Sequence, residues 1–172
     1  VGTVGFYGGA TLWASLSESS PLDNRKHELV AFSQSVTWTF LTVNALKYLV
    51  GRQRPYSVRQ DVDKASFNVT ATEENLSFPS GHSAAAAVAT TFISLDFGDY
   101  LVREVIHDSH PVTQALVGRV FPMLAAGGLT SIVMYSRVKD QRHWLSDTLT
   151  GALIGGGFAT LFYTVHFDAQ GQ

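Results

Sequence analysis

The amino-acid sequence predicts an all-α protein, a compact bundle of about five or six helices. Long segments with helical start and stop signals account for most of the chain. Strand-like alternation of apolar and polar residues is short and sparse, which argues against a sheet. The length, 172 residues, fits one domain of ordinary size. We therefore expect a single helical domain over residues 1–172.

The first half of the chain holds two predicted helices and one long loop. A glycine-rich segment, 3–16, is the first helix, and residues 25–50 form the second after a polar stretch rich in N-cap residues. Gly51 and the Arg54-Pro55 pair end the second helix, because the residue before a proline is pushed out of the helical region. Residues 56–76 are polar, charged and aperiodic, which predicts a long excursion that forms a rim or lid.

The second half of the chain holds three longer predicted helices and one short piece. Pro122 is expected to kink the second of the three, since proline removes a backbone donor. A Ser109-His-Pro111 break separates the short piece from that helix. The predicted ranges are 79–97, 99–107 for the short piece, 112–135 and 141–167.

Three uncharged stretches raise the question of whether the helices cross a membrane. Residues 120–135 number 16 and would span only ~24 Å as a helix, less than a ~30 Å hydrocarbon core. The stretches 148–165 and 29–46 are slightly longer but carry glycine, threonine and other polar residues. The sequence therefore favours buried helices of a soluble domain. A weakly hydrophobic membrane bundle with functional polar residues inside it is the alternative.

Composition excludes several kinds of chemistry and partner. The chain has no cysteine, which excludes disulfides, thiolate zinc sites and cysteine nucleophiles. The formal net charge is −2, so we expect no nucleic-acid partner, because such partners require a broad basic surface. The oligomeric state does not follow from the sequence.

The first block of candidate functional residues lies at the end of the second predicted helix. Lys47 and Arg54 are seven residues apart, which is two helical turns and places them on one face. Arg52 lies off that face on the same reasoning. Cations near a helix C-terminus also suit the helix dipole when they are simply solvated. Alone, this block is compatible with either a solvated basic end or an anion site.

The second block is Pro79-Ser80-Gly81-His82, at the start of the next helix. Proline suits the first turn of a helix, Ser80 can cap it, and Gly81 lets a ligand approach the backbone closely. The first N–H groups of a helix lack partners and favour an anion. An imidazole in that turn is placed to exchange a proton with a bound oxyanion. A plain helix start with an exposed histidine is the alternative.

The third block runs from Ser136-Arg137 to His143 and Asp147. His143 and Asp147 are four residues apart and are expected to meet on one helical face. A carboxylate there can accept the proton of one ring nitrogen and leave the other nitrogen nucleophilic. Arg137 is six residues before His143, so it shares that site only if residues 138–142 form a turn. A surface His–Asp pair is the alternative.

Together the three blocks supply cations, a helix N-terminus and two histidines, which is the inventory for phosphoryl transfer through a phosphohistidine. The sequence here resembles the type 2 phosphatidic acid phosphatase and vanadium haloperoxidase superfamily. Its signature is Lys, six residues, Arg-Pro; then Pro-Ser-Gly-His; then Ser-Arg, five residues, His, three residues, Asp. All three parts occur with full spacing, between Lys47 and Asp147.

The resemblance implies a fold and a role for each matched residue. It implies an α-bundle with the active site at the helix ends. His143 would be the nucleophile, Asp147 its orienter, and His82 the general acid for the leaving group and then the base for water. The phosphate would be held by cations and by the start of a helix, namely Lys47, Arg54, Arg137, Ser80 and Gly81. The phosphatases of the family need no metal, and vanadate would act as an inhibitor.

The resemblance leaves the substrate and the location open. The leading hypothesis is a metal-independent hydrolase of a phosphomonoester or pyrophosphate, with a membrane lipid phosphate as the favoured substrate. The alternatives are a soluble non-specific acid phosphatase, a haloperoxidase with vanadate as its cofactor, and a non-catalytic bundle that binds phosphorylated ligands. We expect a periplasmic or membrane-associated protein with an extracytoplasmic active site.

Overall fold

A computed structural model of the chain describes residues 25–58 and 73–167. Every regular element in these ranges is helical, which confirms the predicted all-α class. The helix predicted over 3–16 and most of the excursion predicted over 56–76 lie outside the described residues. The helices are, in chain order, α1 Arg25–Val50, α2 Pro55–Val58, α3 Gly81–Tyr100, α4 Pro111–Ala115, α5 Phe121–Lys139 and α6 Leu145–Phe167, with a 3₁₀ turn at Glu73–Asn75 and π-helical turns at Leu101–Val105 and Leu116–Val120.

Helix α1 ends where its sequence predicts, but two other boundaries differ. Gly51 stops α1 in the left-handed conformation, with φ +58°, which glycine adopts at low cost. The piece predicted over 99–107 is not separate, because α3 continues directly into the π-helical turn Leu101–Val105. The helix predicted from Gln141 begins instead at Leu145. Gln141 has a φ of 55°, which interrupts the helix and creates a turn before His143.

A π-helical turn lies just before Pro122, where the sequence predicts a kink. Helical structure is continuous from Pro111 to Lys139, and the turn Leu116–Val120 ends two residues before the proline. Such wide turns occur where the regular ladder of backbone hydrogen bonds is disturbed. The result is one long helical segment rather than two short ones.

Helix α3 is the central element, packed against α1, α5 and α6. Its first half is a run of buried small residues that includes Ala84 and Ala85. Two glycines of α6 face it: a Cβ on Gly151 would lie 2.3 Å from the Ser80 carbonyl oxygen, and one on Gly155 would lie 2.2 Å from that of Ala84. Glycine at these two positions therefore lets α6 approach the start of α3 closely.

The opposite half of the bundle is closed by a cluster of aromatic rings. Phe92 of α3 lies between Phe32 of α1 and Tyr163 of α6, with ring centroids 5.2 and 5.3 Å apart in edge-to-face arrangements. Phe167 extends the cluster along α6. Small residues at one end and large rings at the other therefore make α1, α3 and α6 a single packed unit.

Polar side chains connect α3 to α5. The Oγ1 atoms of Thr90 and Thr130 lie 2.9 Å apart in a buried hydrogen bond. The Ser94 hydroxyl donates to the carbonyl of Pro122 at 2.8 Å. These contacts fix two points along the facing surfaces of the helices.

Four helical segments are long and apolar enough to cross a membrane: His27–Val58, Gly81–Val105, Pro111–Lys139 and Leu145–Phe167. Their apolar side chains largely face outward; Leu49 is 80% exposed and Leu153 is 75% exposed. The predicted burial of these helices in a soluble domain is therefore wrong. The length of the uncharged stretches underestimates the length of the helices. Arg119 and the Arg137–Lys139 end, for example, belong to one continuous helical segment. Exposed apolar surface on this scale indicates a membrane-associated protein.

Replacing Gly155 with alanine should force α6 away from α3, because the new methyl group would meet the Ala84 carbonyl. Overpacking of this kind costs about 1–3 kcal/mol, so we expect a lower melting temperature in detergent. Gly157→Ala is the matched control, since nothing lies within 4 Å of a Cβ at that position and alanine favours the helix. Equal melting of the two variants would contradict the close α3–α6 contact.

The purified protein should be monodisperse only in detergent or lipid, because its outward-facing apolar side chains need an apolar surrounding. Size-exclusion chromatography before and after detergent removal measures this. A protein that elutes as one symmetric, non-aggregated peak without detergent would show that the exposed apolar faces are not lipid-facing.

Candidate active site

The three sequence blocks meet at one end of the bundle, around a cavity of about 310 Å³. The C-terminal end of α1, the start of α3, the end of α5 and the turn before α6 all contribute to its wall. Six of the predicted site residues line it: Lys47, Arg54, Gly81, His82, Arg137 and His143. The other two, Ser80 and Asp147, are fully buried behind the wall.

Ser80 caps α3, as the sequence predicts, but the helix begins at Gly81 and Pro79 lies before the cap rather than in the first turn. Ser80 is the N-cap, and its hydroxyl accepts from the backbone N–H of Ser83 at 3.4 Å. The Ser83 hydroxyl lies 3.1 Å from the same oxygen. The backbone N–H of Ser80 donates to the carbonyl of Asp147 at 2.9 Å. Ser80 thus joins the start of α3 to α6, while Gly81 and His82 face the cavity.

A turn brings Arg137 and His143 to the same cavity. Residues 140–144 lie between α5 and α6, and the backbone N–H groups of Arg142 and His143 both donate to the carbonyl of Arg137. The sequence required a turn over 138–142 for these two side chains to share a site, and this turn is present. His143 therefore sits in the turn, one residue before Trp144, and not on the helix that carries Asp147.

The His143 ring is held by a backbone carbonyl. Its Nδ1 lies 2.7 Å from the carbonyl oxygen of Ser77. A carbonyl can only accept, so Nδ1 carries the proton and Nε2 is left with its lone pair. The ring is 3% exposed and lines the cavity. This tautomer is the one a nucleophilic imidazole needs.

The predicted direct contact between His143 and Asp147 is therefore not what the structure shows. The Oδ2 atom of Asp147 lies 3.9 Å from Nδ1 of His143, beyond hydrogen-bond distance. The prediction placed both residues on one helix, whereas the turn rotates the histidine toward Ser77. Asp147 acts on the histidine indirectly, because the Ser77 hydroxyl donates to Oδ2 while the Ser77 carbonyl holds the ring.

Asp147 is the centre of a buried hydrogen-bond network. Its Oδ2 accepts from the backbone N–H of Trp144 at 3.0 Å and from Ser77. Its Oδ1 accepts from Nη1 of Arg52 at 2.7 Å. The sequence placed Arg52 off the functional face by extending the α1 helix; Gly51 ends that helix, so helical spacing no longer applies to Arg52.

Backbone carbonyls hold Lys47 and Arg54 in the cavity wall, whereas Arg137 is bound by the side chains of Ser136 and Asp140. Lys47 Nζ donates to the carbonyl of Leu76 at 2.8 Å, and Arg54 Nε donates to that of Glu73 at 2.9 Å. Arg137 Nη2 donates to the Ser136 hydroxyl at 3.0 Å, but its buried Nε has no hydrogen-bond partner within the described residues. A buried donor without a partner costs ~1–3 kcal/mol, and an anion in the cavity would supply one.

Electrostatics favour a neutral His143. Burial lowers the pKa of its imidazole below the ordinary value, and the nearby Arg54 and Lys47 lower it further. The Asp147 carboxylate and the Ser77 carbonyl oppose this shift only in part. Near neutral pH the ring is therefore unprotonated at Nε2.

A sequence model described as the PAP2 superfamily matches residues 28–170 of the chain. The chain belongs to the PAP2 superfamily. The resemblance carried by the three blocks is thereby confirmed, and the matched range includes all of them. No solved structure shows significant similarity to the chain.

Several curated proteins are similar to this PAP2 chain. A PA-phosphatase related-family protein of Dictyostelium discoideum is 30% identical over 147 residues, which are 83% of this chain and 50% of that protein. Lipid phosphate phosphatase 2 of Arabidopsis thaliana is 29% identical, with 82% and 51% covered. Lipid A 1-phosphatase of Porphyromonas gingivalis is 31% identical, with 66% and 18% covered. The chain spans about half the length, or less, of these relatives.

Sequence reasoning on this PAP2 chain missed Ser77 and Arg52, and did not single out Arg142, which also lines the cavity. Ser77 acts through its backbone carbonyl, which has no sequence signature beyond its position two residues before Pro79. Arg52 could have been found from Gly51. Because Gly51 ends the helix, the direction of the Arg52 side chain is not set by helical spacing. Arg142 could have been found from its position next to His143.

Proposed function

We propose that this protein is a phosphatase that hydrolyses a phosphorylated lipid through a covalent phosphohistidine at His143. The observation that carries the proposal is the 2.7 Å contact between His143 Nδ1 and the Ser77 carbonyl. It leaves Nε2 unprotonated in a cavity that is also lined by Lys47, Arg54 and Arg137. A neutral nucleophile surrounded by cations suits an incoming phosphate group.

The first step forms the covalent intermediate. Nε2 of His143 attacks phosphorus while the bond from phosphorus to the leaving oxygen breaks. Lys47, Arg54 and Arg137 hold the three equatorial oxygens, and His82 gives its proton to the leaving alkoxide, or to the leaving phosphate of a pyrophosphate. The unsatisfied Nε of Arg137 gains an acceptor in this state.

The second step returns the enzyme to its starting form. His82, now neutral, takes a proton from water, and the resulting oxygen nucleophile attacks phosphorus. The phosphorus–Nε2 bond breaks, inorganic phosphate is released, and His143 recovers its lone pair. The proposal assigns no step to a metal or other cofactor.

A lipid substrate is supported by two independent observations. The helices expose apolar side chains over four segments long enough to cross a membrane, which would bring the cavity to the membrane surface. Curated relatives carry the names lipid phosphate phosphatase and lipid A 1-phosphatase. Phosphomonoesters and pyrophosphates both fit this mechanism. An extracytoplasmic active site is also part of the proposal.

Replacing His143 with alanine should lower turnover of phosphatidate in mixed micelles by roughly 10³-fold or more, because it removes the nucleophile. His107→Ala is the matched control, since His107 is exposed, lies outside the cavity lining and pairs with the neighbouring Asp108. An aryl phosphate assayed beside phosphatidate separates lipid from general phosphatase activity. Full turnover by His143→Ala would refute the phosphohistidine, and halide oxidation with added vanadate and peroxide would favour a haloperoxidase.

The acidic limb of the pH–rate profile should follow the protonation of His143. Its imidazole must be neutral to attack, so kcat/KM should fall as the pH drops through its pKa. Burial lowers that pKa, so the acidic limb is expected below about 6.5, the ordinary histidine value. Asp147→Asn should move the limb to still lower pH, because the carboxylate raises the histidine pKa. An acidic limb well above 6.5 in the parent protein would contradict a buried neutral nucleophile.

A further inference from the structure

Arg52 contacts both Asp147 and Ser77, the two residues that surround Nδ1 of the His143 ring. Its Nη1 donates to Asp147 Oδ1 at 2.7 Å and to the Ser146 hydroxyl at 2.7 Å. Its carbonyl accepts from the backbone N–H of Ser77 at 2.9 Å. Ser77 in turn supplies the carbonyl that holds Nδ1. Arg52 is thus bound to the carboxylate by its side chain and to the ring-holding residue by its backbone.

The Arg52 side chain is also fixed by the residue that follows the nucleophile. Its guanidinium lies 5.4 Å from the ring centroid of Trp144, within the range of a cation–π contact. The Trp144 indole N–H donates to the carbonyl of Gln53 at 2.9 Å, and its backbone N–H donates to Asp147. The guanidinium is therefore held in one orientation beside the buried carboxylate.

We propose that Arg52 is a positioning residue for phosphoryl transfer: it anchors Asp147 so that the Ser77 carbonyl, and not the carboxylate, holds Nδ1 of His143. The inference rests on the function proposed above. Arg52 does not appear in the wall of the cavity, so it acts through Asp147 and Ser77 rather than on the phosphate.

The reason lies in the two oxygens of the carboxylate. Oδ2 accepts from two donors, Ser77 and Trp144, whereas Oδ1 accepts from Arg52. Asp147 is 0% exposed, and a buried charge that loses its partner is strongly disfavoured. The Nδ1 atom of His143 lies 3.9 Å from Oδ2, so a small rotation would let its N–H donate to the carboxylate. Without Arg52 the carboxylate would compete with Ser77 for this proton and tilt the ring.

Removing the charge of Arg52 should also change the titration of His143. An Asp147 carboxylate that is no longer compensated stabilises the imidazolium, so the pKa of His143 should rise. The other charged or titratable groups that face the ring remain in place and cannot produce this change. They line the cavity and are Lys47, Arg54, Glu73, His82, Arg137 and Arg142.

The test compares Arg52→Gln and Arg52→Lys with Arg119→Gln in detergent. Arg119 is a matched control, because it pairs with Asp99 near the opposite end of α3 and is comparably exposed. We expect Arg52→Gln to lower kcat roughly tenfold or more, the size seen when an outer partner of a functional imidazole is lost. KM should change little, because the phosphate contacts remain. Arg52→Lys should recover part of kcat, and Arg119→Gln should match the parent.

A second readout does not depend on turnover. Ring ¹⁵N shifts of selectively labelled histidine, with the His143 signals identified by their absence in His143→Gln, report both the pKa and the tautomer. We expect a raised pKa and a smaller Nδ1–H population in Arg52→Gln only. In Arg52→Gln, millimolar guanidinium should restore part of the lost kcat, whereas sodium at equal ionic strength should not. Free guanidinium can reach this position because the Arg52 side chain is 38% exposed.

The outcomes separate the two proposals. A parent protein without phosphatase activity would refute the proposed function, and the ¹⁵N titration would still decide the role of Arg52. An Arg52→Gln protein with parental titration and kcat would overturn the inference. A second outcome would also overturn it: kcat falls together with the melting temperature, but the pKa and tautomer of His143 stay as in the parent. Arg52 would then have only a structural role.

Discussion

The candidate site depends on the partners of one buried carboxylate, Asp147. A fully buried charge is tolerated only when its acceptors are filled, and here the donors come from separate parts of the chain. Arg52 follows α1, Ser77 precedes α3, and Trp144 precedes α6. Satisfying this carboxylate therefore brings the three sequence blocks together and sets the position of the histidine between them.

The close approach of α3 and α6 gives that network its accuracy. Gly151 permits the contact with the Ser80 carbonyl, and the backbone N–H of Ser80 then reaches the carbonyl of Asp147. The helix start that faces the cavity and the carboxylate behind His143 thus belong to the same close contact between α3 and α6. Sites built on packed helices hold their geometry better than sites built on loops.

The sequence predicted most of the groups in the cavity but not how they are connected. Lys47, His82 and Arg137 were accessible because helix-end chemistry, helix-start chemistry and the family signature all concern local sequence. Arg54 lines the cavity as predicted, but the helical spacing used to predict it does not apply, because α1 ends at Val50. The Ser77 carbonyl was not, since any residue type presents the same backbone oxygen. The role of Arg52 depends on Gly51 ending α1, and the position of His143 on a positive φ at Gln141; both are decided by single backbone angles. The membrane bundle was predicted only as the alternative to a soluble domain, because charged residues interrupted the uncharged stretches.

The two polar contacts between α3 and α5 have a consequence for axial register. Lipid gives neighbouring helices no hydrophobic reason to choose one longitudinal offset over another, so hydrogen bonds and close packing must choose it. Two hydrogen bonds, Thr90 with Thr130 and Ser94 with the Pro122 carbonyl, fix the axial position of α5 relative to α3. Sliding α5 by one turn would move it about 5.4 Å and carry Arg137 away from the cavity. Three side-chain hydroxyls, in two contacts, thus set the axial position of Arg137 relative to the cavity.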